Sequence, residues 1–333
     1  MPPQHAAPWW LPGGHLQTIW PALVAPPAAR TALPYRRERW ATPDADFIDV
    51  DVVDAAQADA PRLVLFHGLE GSSDAGYARA FGALARAAGW SFVVPHFRGC
   101  SGELNLAPRA YHSGDFAEIG WILERLSTGE RGRGGPVFAL GISLGGNALL
   151  RWAEEAGHAA ARHAHAVSAV CSPIDLAAGG HAIGRGFSRL VYTRNFLQTM
   201  KPKALAKLAQ HPGLFDGRAL MAARSLYEFD NVFTAPLHGF RNTEDYWARA
   251  SAKPRLADIR IPALVLNALN DPFVPAACLP RQAEVGAHVT LWQPAGGGHV
   301  GLARGRQRGQ RDDVTAQVFG WLQGHGPQGA RHG

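Results

Sequence analysis

The chain has 333 residues, of which 47% are hydrophobic and 18% charged, with a formal net charge of +6. That balance excludes intrinsic disorder, and the length suffices for one large domain with an insertion. Much of the positive charge lies in two Arg/Gly stretches, 129–135 and 303–311, with no aromatic residues between the charges; they read as solvated loops, and no nucleic-acid partner is expected.

The first 27 residues are apolar but lack a basic leader and are broken repeatedly by proline. They suit neither a signal peptide nor a membrane-spanning helix. Their tryptophans are expected to pack across the domain, with contact to a membrane surface as the alternative. Cys100, Cys171 and Cys278 are too few and too scattered for a disulfide framework or a zinc site. They fit a reducing compartment, so a cytoplasmic protein without metal or other cofactor is expected.

From residue 47 onward, short apolar runs alternate with helix-like segments. The runs are 47–53, 62–66, 91–95, 137–141, 166–171, 263–267 and 289–292. The later ones are continuously apolar, as strands buried on both faces of a parallel sheet are. Between them, 77–89 ends at Gly89, a natural helix stop, and 115–126 places Phe116, Ile119, Ile122, Leu123 and Leu126 on one stripe behind Asp115 as a cap. A further helical pattern covers 313–323. The alternation predicts an open α/β sheet in a single domain spanning residues 1–333. It lapses over residues 173–258, where no strand is evident, so a helical cap or lid inserted between two core strands is expected there. The tail, 325–333, reads as disordered.

The most informative stretch is FALGISLGGN, residues 138–147. A strand, then G-x-S-x-G, then a helix-forming segment is the context of a nucleophile elbow, in which a strained turn exposes Ser143. Small residues at 141 and 145 let strand and helix approach closely. A phosphate loop needs lysine where Asn147 stands, and a dinucleotide loop needs a spacing that Ile142-Ser143 breaks.

Serine is a weak nucleophile without a base, and the base needs an acid to orient it. Where such an elbow occurs in an α/β sheet, the acid and then the histidine follow the serine in the chain. His299 lies in a Gly-rich loop after the last strand, whereas His158, His163, His165, His325 and His332 read as surface residues. Asp271, just past the strand at 263–267 in an Asp-Pro turn, is the expected acid. Its competitor Asp175 reads as a helix cap. The backbone N–H groups of Leu144 and of Leu69, in the loop HGLEGSS, are the expected oxyanion donors.

These motifs, together with LFHGLEGSS, HFRGCSGELN, YHSGD, LYEFDN, NDPFVP and the N-terminal GGHLQTIW, resemble the YheT/EMB8-like branch of the α/β-hydrolases. The resemblance runs in order from about residue 14 to 302. It implies the α/β-hydrolase fold, a Ser143–Asp271–His299 triad and carboxylester hydrolase activity, with lipid-like esters as candidate substrates. Acyl transfer with the same triad is the enzymatic alternative; a binding protein on the hydrolase fold is the other class. Rival chemistry is read as structural. Cys100 and Ser101 lack an elbow and belong to a loop that Arg98 anchors. His211 and Asp216 form an H-x-x-x-x-D spacing of the acyltransferase kind, and His112 has no readable role.

Overall fold

A computed structural model describes residues 7–23, 32–128, 135–301 and 314–326. The Arg/Gly stretches at 129–134 and 303–311, and the tail from 327, lie outside the described residues. Eight strands form one sheet: β1 (Arg36–Ala41), β2 (Phe47–Val53), β3 (Arg62–Phe66), β4 (Ser91–Pro95), β5 (Val137–Ile142), β6 (Ala166–Val170), β7 (Ala263–Leu266) and β8 (Val289–Trp292). Their order across the sheet is β1-β2-β4-β3-β5-β6-β7-β8. The first two strands run antiparallel to their neighbours, and the remaining pairs are parallel. The fold expected from the alternation is therefore present, with one addition. β1 was not visible in the sequence because its residues, RRERWA, are mostly charged and exposed. On this edge strand, cross-strand ion pairs replace apolar packing. Arg37 stands opposite Asp51 and Arg39 opposite Asp49, each donating through two guanidinium nitrogens.

Helices cover both faces of the sheet. α1 (Gly13–Leu23) lies at one end, and α2 (Gly76–Ala87) precedes α3 (Phe116–Thr128) and α4 (Leu144–Ala156). Ile119, Leu123 and Leu149 from α3 and α4 pack on one face with Val64, Phe66 and Ala139. Phe81 from α2 packs on the other face with Leu63, Leu65 and Leu140, beside Val318 and Leu322 of the C-terminal helix. Each fully buried aliphatic or aromatic side chain contributes roughly 1.5–3 kcal/mol, so strands apolar on both faces are stable only between two helical layers.

Between β6 and β7 the chain forms α5 (Leu176–Ile183), α6 (Gly186–Ser188), α7 (Arg194–Gln210), α8 (Gly217–Ala222), α9 (Leu226–Phe229), α10 (Ala235–Leu237) and α11 (Thr243–Ala250). Asp175 caps α5 by accepting the Ala178 N–H, and Asp216 caps α8. Single π-helical turns at Arg189–Thr193 and Asp230–Thr234 interrupt the run. Leu197, Ala204, Leu220, Phe229 and Phe233 give these helices an apolar cluster of their own. The last helix, α12 (Val314–Gly324), closes the fold.

Candidate active site

β5 ends at Ile142 and α4 begins at Leu144, so one residue makes the turn. Ser143 has φ 51° and ψ −119°, a region that side chains rarely occupy. Its N–H donates to Val170 O at 2.9 Å. A methyl at Gly145 would overlap the carbonyls of Phe66 and His67, and one at Gly141 would overlap the backbone of Gly146. Both glycines allow the helix to start against the sheet, and the serine hydroxyl projects from the parallel strands' C-terminal edge.

The loops after β7 and β8 bring the other two residues to that hydroxyl. His299 Nε2 lies 3.0 Å from Ser143 Oγ, and His299 Nδ1 lies 2.8 Å from Asp271 Oδ2. A carboxylate only accepts, so Nδ1 carries the proton and Nε2 is left to accept from the serine hydroxyl. Asp271 is buried, and its Oδ1 accepts the Phe273 N–H at 2.8 Å. The Phe273 ring stacks on His299 with centroids 4.1 Å apart. Cys171, also at positive φ, accepts the Val300 N–H on its sulfur at 3.2 Å. Thus Ser143 and Asp271, respectively 156 and 28 residues from His299 in the chain, form one hydrogen-bonded line with it. Asp175, the competing acid, is occupied as the cap of α5.

The loop after β3 passes beside the serine. The N–H groups of Leu69 and Leu144 donate to no acceptor among the described residues, and both residues line the same cleft as Ser143. The loop is tied on every side. Tyr77 OH accepts from Gly68 N at 3.1 Å, and Tyr111 OH accepts from Glu70 N at 3.0 Å. Buried His67 donates from Nδ1 to Gly68 O and accepts the Phe97 N–H on Nε2. With both nitrogens used, this imidazole is neutral, and burial holds its pKa down to about 3. An unfolded histidine titrates near pH 6.5, so below that the unfolded state binds a proton that the folded state refuses. The His67 contribution to stability is thus intact above about pH 6.5 and is lost as pH falls toward about 3. His67→Gln is expected to flatten the fall of Tm between pH 6.5 and 4, as measured by thermal denaturation across that range.

α1 makes buried contacts with the site that residue pattern alone does not indicate. Gln17 Oε1 accepts both the Gly297 N–H at 2.7 Å and the Asn270 Nδ2–H at 2.9 Å. Thr18 Oγ1 accepts the His299 N–H at 2.9 Å. Gly14 packs so closely on the Asn270 carbonyl that a methyl there would overlap it. The segment HLQT therefore bolts the loop of Asp271 to the loop of His299. Its partners stand more than 250 residues away, so no local pattern betrays it.

Above Ser143 opens a cleft of about 1190 Å³, including its mouth, lined in part by residues of α5, α7, α9 and α11. Its walls are mostly apolar, including Leu104, Ile183, Phe196, Met200, Leu226 and Phe233. Asp230 lies in the wall, held by Thr234 and Trp247; burial raises its carboxyl to about 6. A second cleft, reached past Thr18, Pro21 and Phe273, also ends on Ser143 and His299. The rival groups are engaged elsewhere. Burial raises the Cys100 thiol to about 12, and Ser101 donates to Asp49. His211 bonds to the Leu106 carbonyl. Arg98 anchors its loop as expected, against Glu118, Asp46 and Asp44. His112, in the cleft wall, packs at a tilt against His238 with ring centroids 4.4 Å apart, and burial lowers its pKa to about 3. Asn147, where a phosphate loop needs lysine, is buried and bonds to Ser113 and Ala250 carbonyls. Among the described residues, no group of three or more His, Cys, Asp or Glu is arranged to hold a metal ion.

A sheet with antiparallel strands at one edge and a serine elbow at its C-terminal edge defines the α/β-hydrolase class of fold. Comparison with known proteins agrees. Residues 61–304 match the model of the alpha/beta hydrolase fold family, and the chain belongs to that family. Within it, the chain is 38% identical over 312 residues to YheT of Escherichia coli (strain K12), covering 92% of this chain and 89% of that one. It is 31% identical over 305 residues to the phospholipase ABHD3 of Mus musculus, covering 88% and 73%. Among solved structures, the Pyrococcus furiosus esterase Pf2001 superposes with a TM-score of 0.52 at 15% identity over 90% of this chain and 96% of that one. The branch resemblance expected from the motifs thus holds over nearly the whole chain.

Proposed function

We propose that the protein is a serine hydrolase that cleaves carboxylic esters through an acyl-enzyme. The observation that carries this reading is the continuous line Ser143–His299–Asp271 at the floor of an apolar cleft. Ser143 Oγ attacks the ester carbonyl as His299 Nε2 takes its proton, and Asp271 stabilises the imidazolium. Negative charge on the carbonyl oxygen is met by the Leu69 and Leu144 N–H groups. His299 then passes its proton to the departing alcohol. Water, deprotonated by the same nitrogen, attacks the acyl-serine and releases the acid.

In this reading helices α5 to α11 form a cap, and the cleft beneath them takes the acyl chain. Buried methylenes contribute about 0.8 kcal/mol each, or roughly fourfold in affinity as an upper bound. With p-nitrophenyl esters, kcat/KM is expected to climb from acetate through octanoate; a strict acetate preference would count against the cleft as an acyl site. The relative named as a phospholipase supports lipid-like esters as the substrate class. Product analysis in the presence of added alcohol separates hydrolysis from acyl transfer.

Gln17 has a defined part in this account, since it sets the distance between acid and base without touching substrate. Gln17→Leu is expected to lower kcat by about 10- to 100-fold with little change in KM, because small displacements of reacting groups cost that much. Gln17→Glu, which keeps an acceptor for Gly297, is expected to recover part of the loss. Steady-state kinetics of both variants check it; a KM effect alone would remove Gln17 from this role.

A further inference from the structure

We propose that the face formed by α1 and the turn Gly186–Arg194 docks on the surface of an anionic lipid bilayer. Residues 176–215 contain six Lys and Arg but no Asp or Glu, and residues 7–23 carry no Asp, Glu, Lys or Arg. The lysines of this segment are spoken for: Lys203 pairs with Glu70, while Lys201 and Lys207 donate to backbone carbonyls. Arg185, Arg189 and Arg194 are instead exposed, and none has a carboxylate partner among the described residues.

Between these arginines stand exposed apolar side chains. Leu190 is 71% exposed, Phe187 50% and Val191 37%. The patch continues onto α1, where Leu16 is 47% exposed and the neighbouring His15 packs on Phe187 at 4.7 Å and on Tyr192. Apolar side chains interleaved with unpaired arginines on one exposed helical turn make the pattern of an interfacial segment. The apolar groups enter the headgroup region while the arginines, with their long stems, reach the lipid phosphates. The charge decides the occupant: the face offers only positive charge, and an anionic bilayer supplies the complement along its whole width.

The position of the face gives it a use. Tyr192 packs on Phe273 at 4.6 Å and Phe273 on His299 at 4.1 Å, so aromatic rings run from the patch to the catalytic histidine. The second cleft, lined by Thr18, Pro21 and Ala22 of α1, opens beside it. A lipid leaving the bilayer would enter next to Ser143. This use rests on the ester-hydrolase reading, but the docking itself does not.

The test is co-sedimentation of Ser143→Ala, Leu190→Asn and Arg189→Gln proteins, and of the unaltered chain, with vesicles of phosphatidylcholine alone or mixed with phosphatidylglycerol. The unaltered chain and Ser143→Ala are expected to bind the mixed vesicles equally, and to bind them far better than phosphatidylcholine. Binding should weaken as salt is raised. Arg189→Gln should lower partitioning about fivefold and Leu190→Asn about tenfold or more, with Tm unchanged because both side chains are exposed. No vesicle binding, equal binding to both vesicle types, or unaltered binding of both surface variants would overturn the proposal. Because Ser143→Ala is itself tested for binding, loss of the hydrolase reading leaves this result standing.

Discussion

Ser143→Ala is expected to lower kcat/KM for p-nitrophenyl octanoate by about 10,000-fold or more, leaving only the rate that binding and the oxyanion donors sustain. The size of the loss follows from the site. The two rival groups of the neighbouring loop are not poised to replace Ser143: Ser101 is bonded to Asp49, and the Cys100 thiol is raised to about 12 by burial. The same position also has a stability signature. Ser143 holds φ 51°, which costs of order 1–3 kcal/mol for a residue with a Cβ. Ser143→Gly should therefore be as inactive as Ser143→Ala yet melt at a higher temperature. Calorimetry of the two variants side by side measures the strain built into the elbow.

Asp271→Asn is expected to cost about 10,000-fold in kcat with little loss of stability, by a route that the hydrogen bonds spell out. Asp271 Oδ1 accepts the Phe273 N–H, and Oδ2 faces His299 Nδ1. An asparagine keeps its oxygen on Phe273 and turns its NH₂ toward the imidazole. Nδ1 must then accept, Nε2 carries the proton, and the ring can no longer take one from Ser143. Asp271→Ala removes the carboxyl without imposing the wrong tautomer, so it is expected to retain more activity than Asp271→Asn. Equal kinetics for both would mean that the carboxylate acts through charge alone.

Residue pattern carried the parallel part of the fold because those strands are buried on both faces. VFALGI at β5 and ALVL at β7 have no polar position to blur the signal. β1 escaped notice for the opposite reason, since Arg37 and Arg39 are satisfied by Asp51 and Asp49 of β2, which only the sheet brings opposite. Ser143, Asp271 and His299 were legible as candidates because each follows a strand in a short turn rich in Gly or Pro. Asp175 could be set aside by its position before a helix, where it does cap. The supports of the site were not legible. Gln17, Thr18, His67 and Tyr111 act through backbone groups of distant loops, and polar residues on unremarkable segments carry no period or spacing. The exposed arginines and leucine near residue 190 were equally silent, because exposure is a property of the fold.

Reaction with a fluorophosphonate, followed by mass mapping of the modified peptide, reads directly whether Ser143 is the nucleophile. One phosphonyl group per chain is expected, located on Ser143, with none taken up by Ser143→Ala and slower uptake by Asp271→Asn. Equal labelling of the unaltered chain and Ser143→Ala, or a label mapped to another residue, would contradict it.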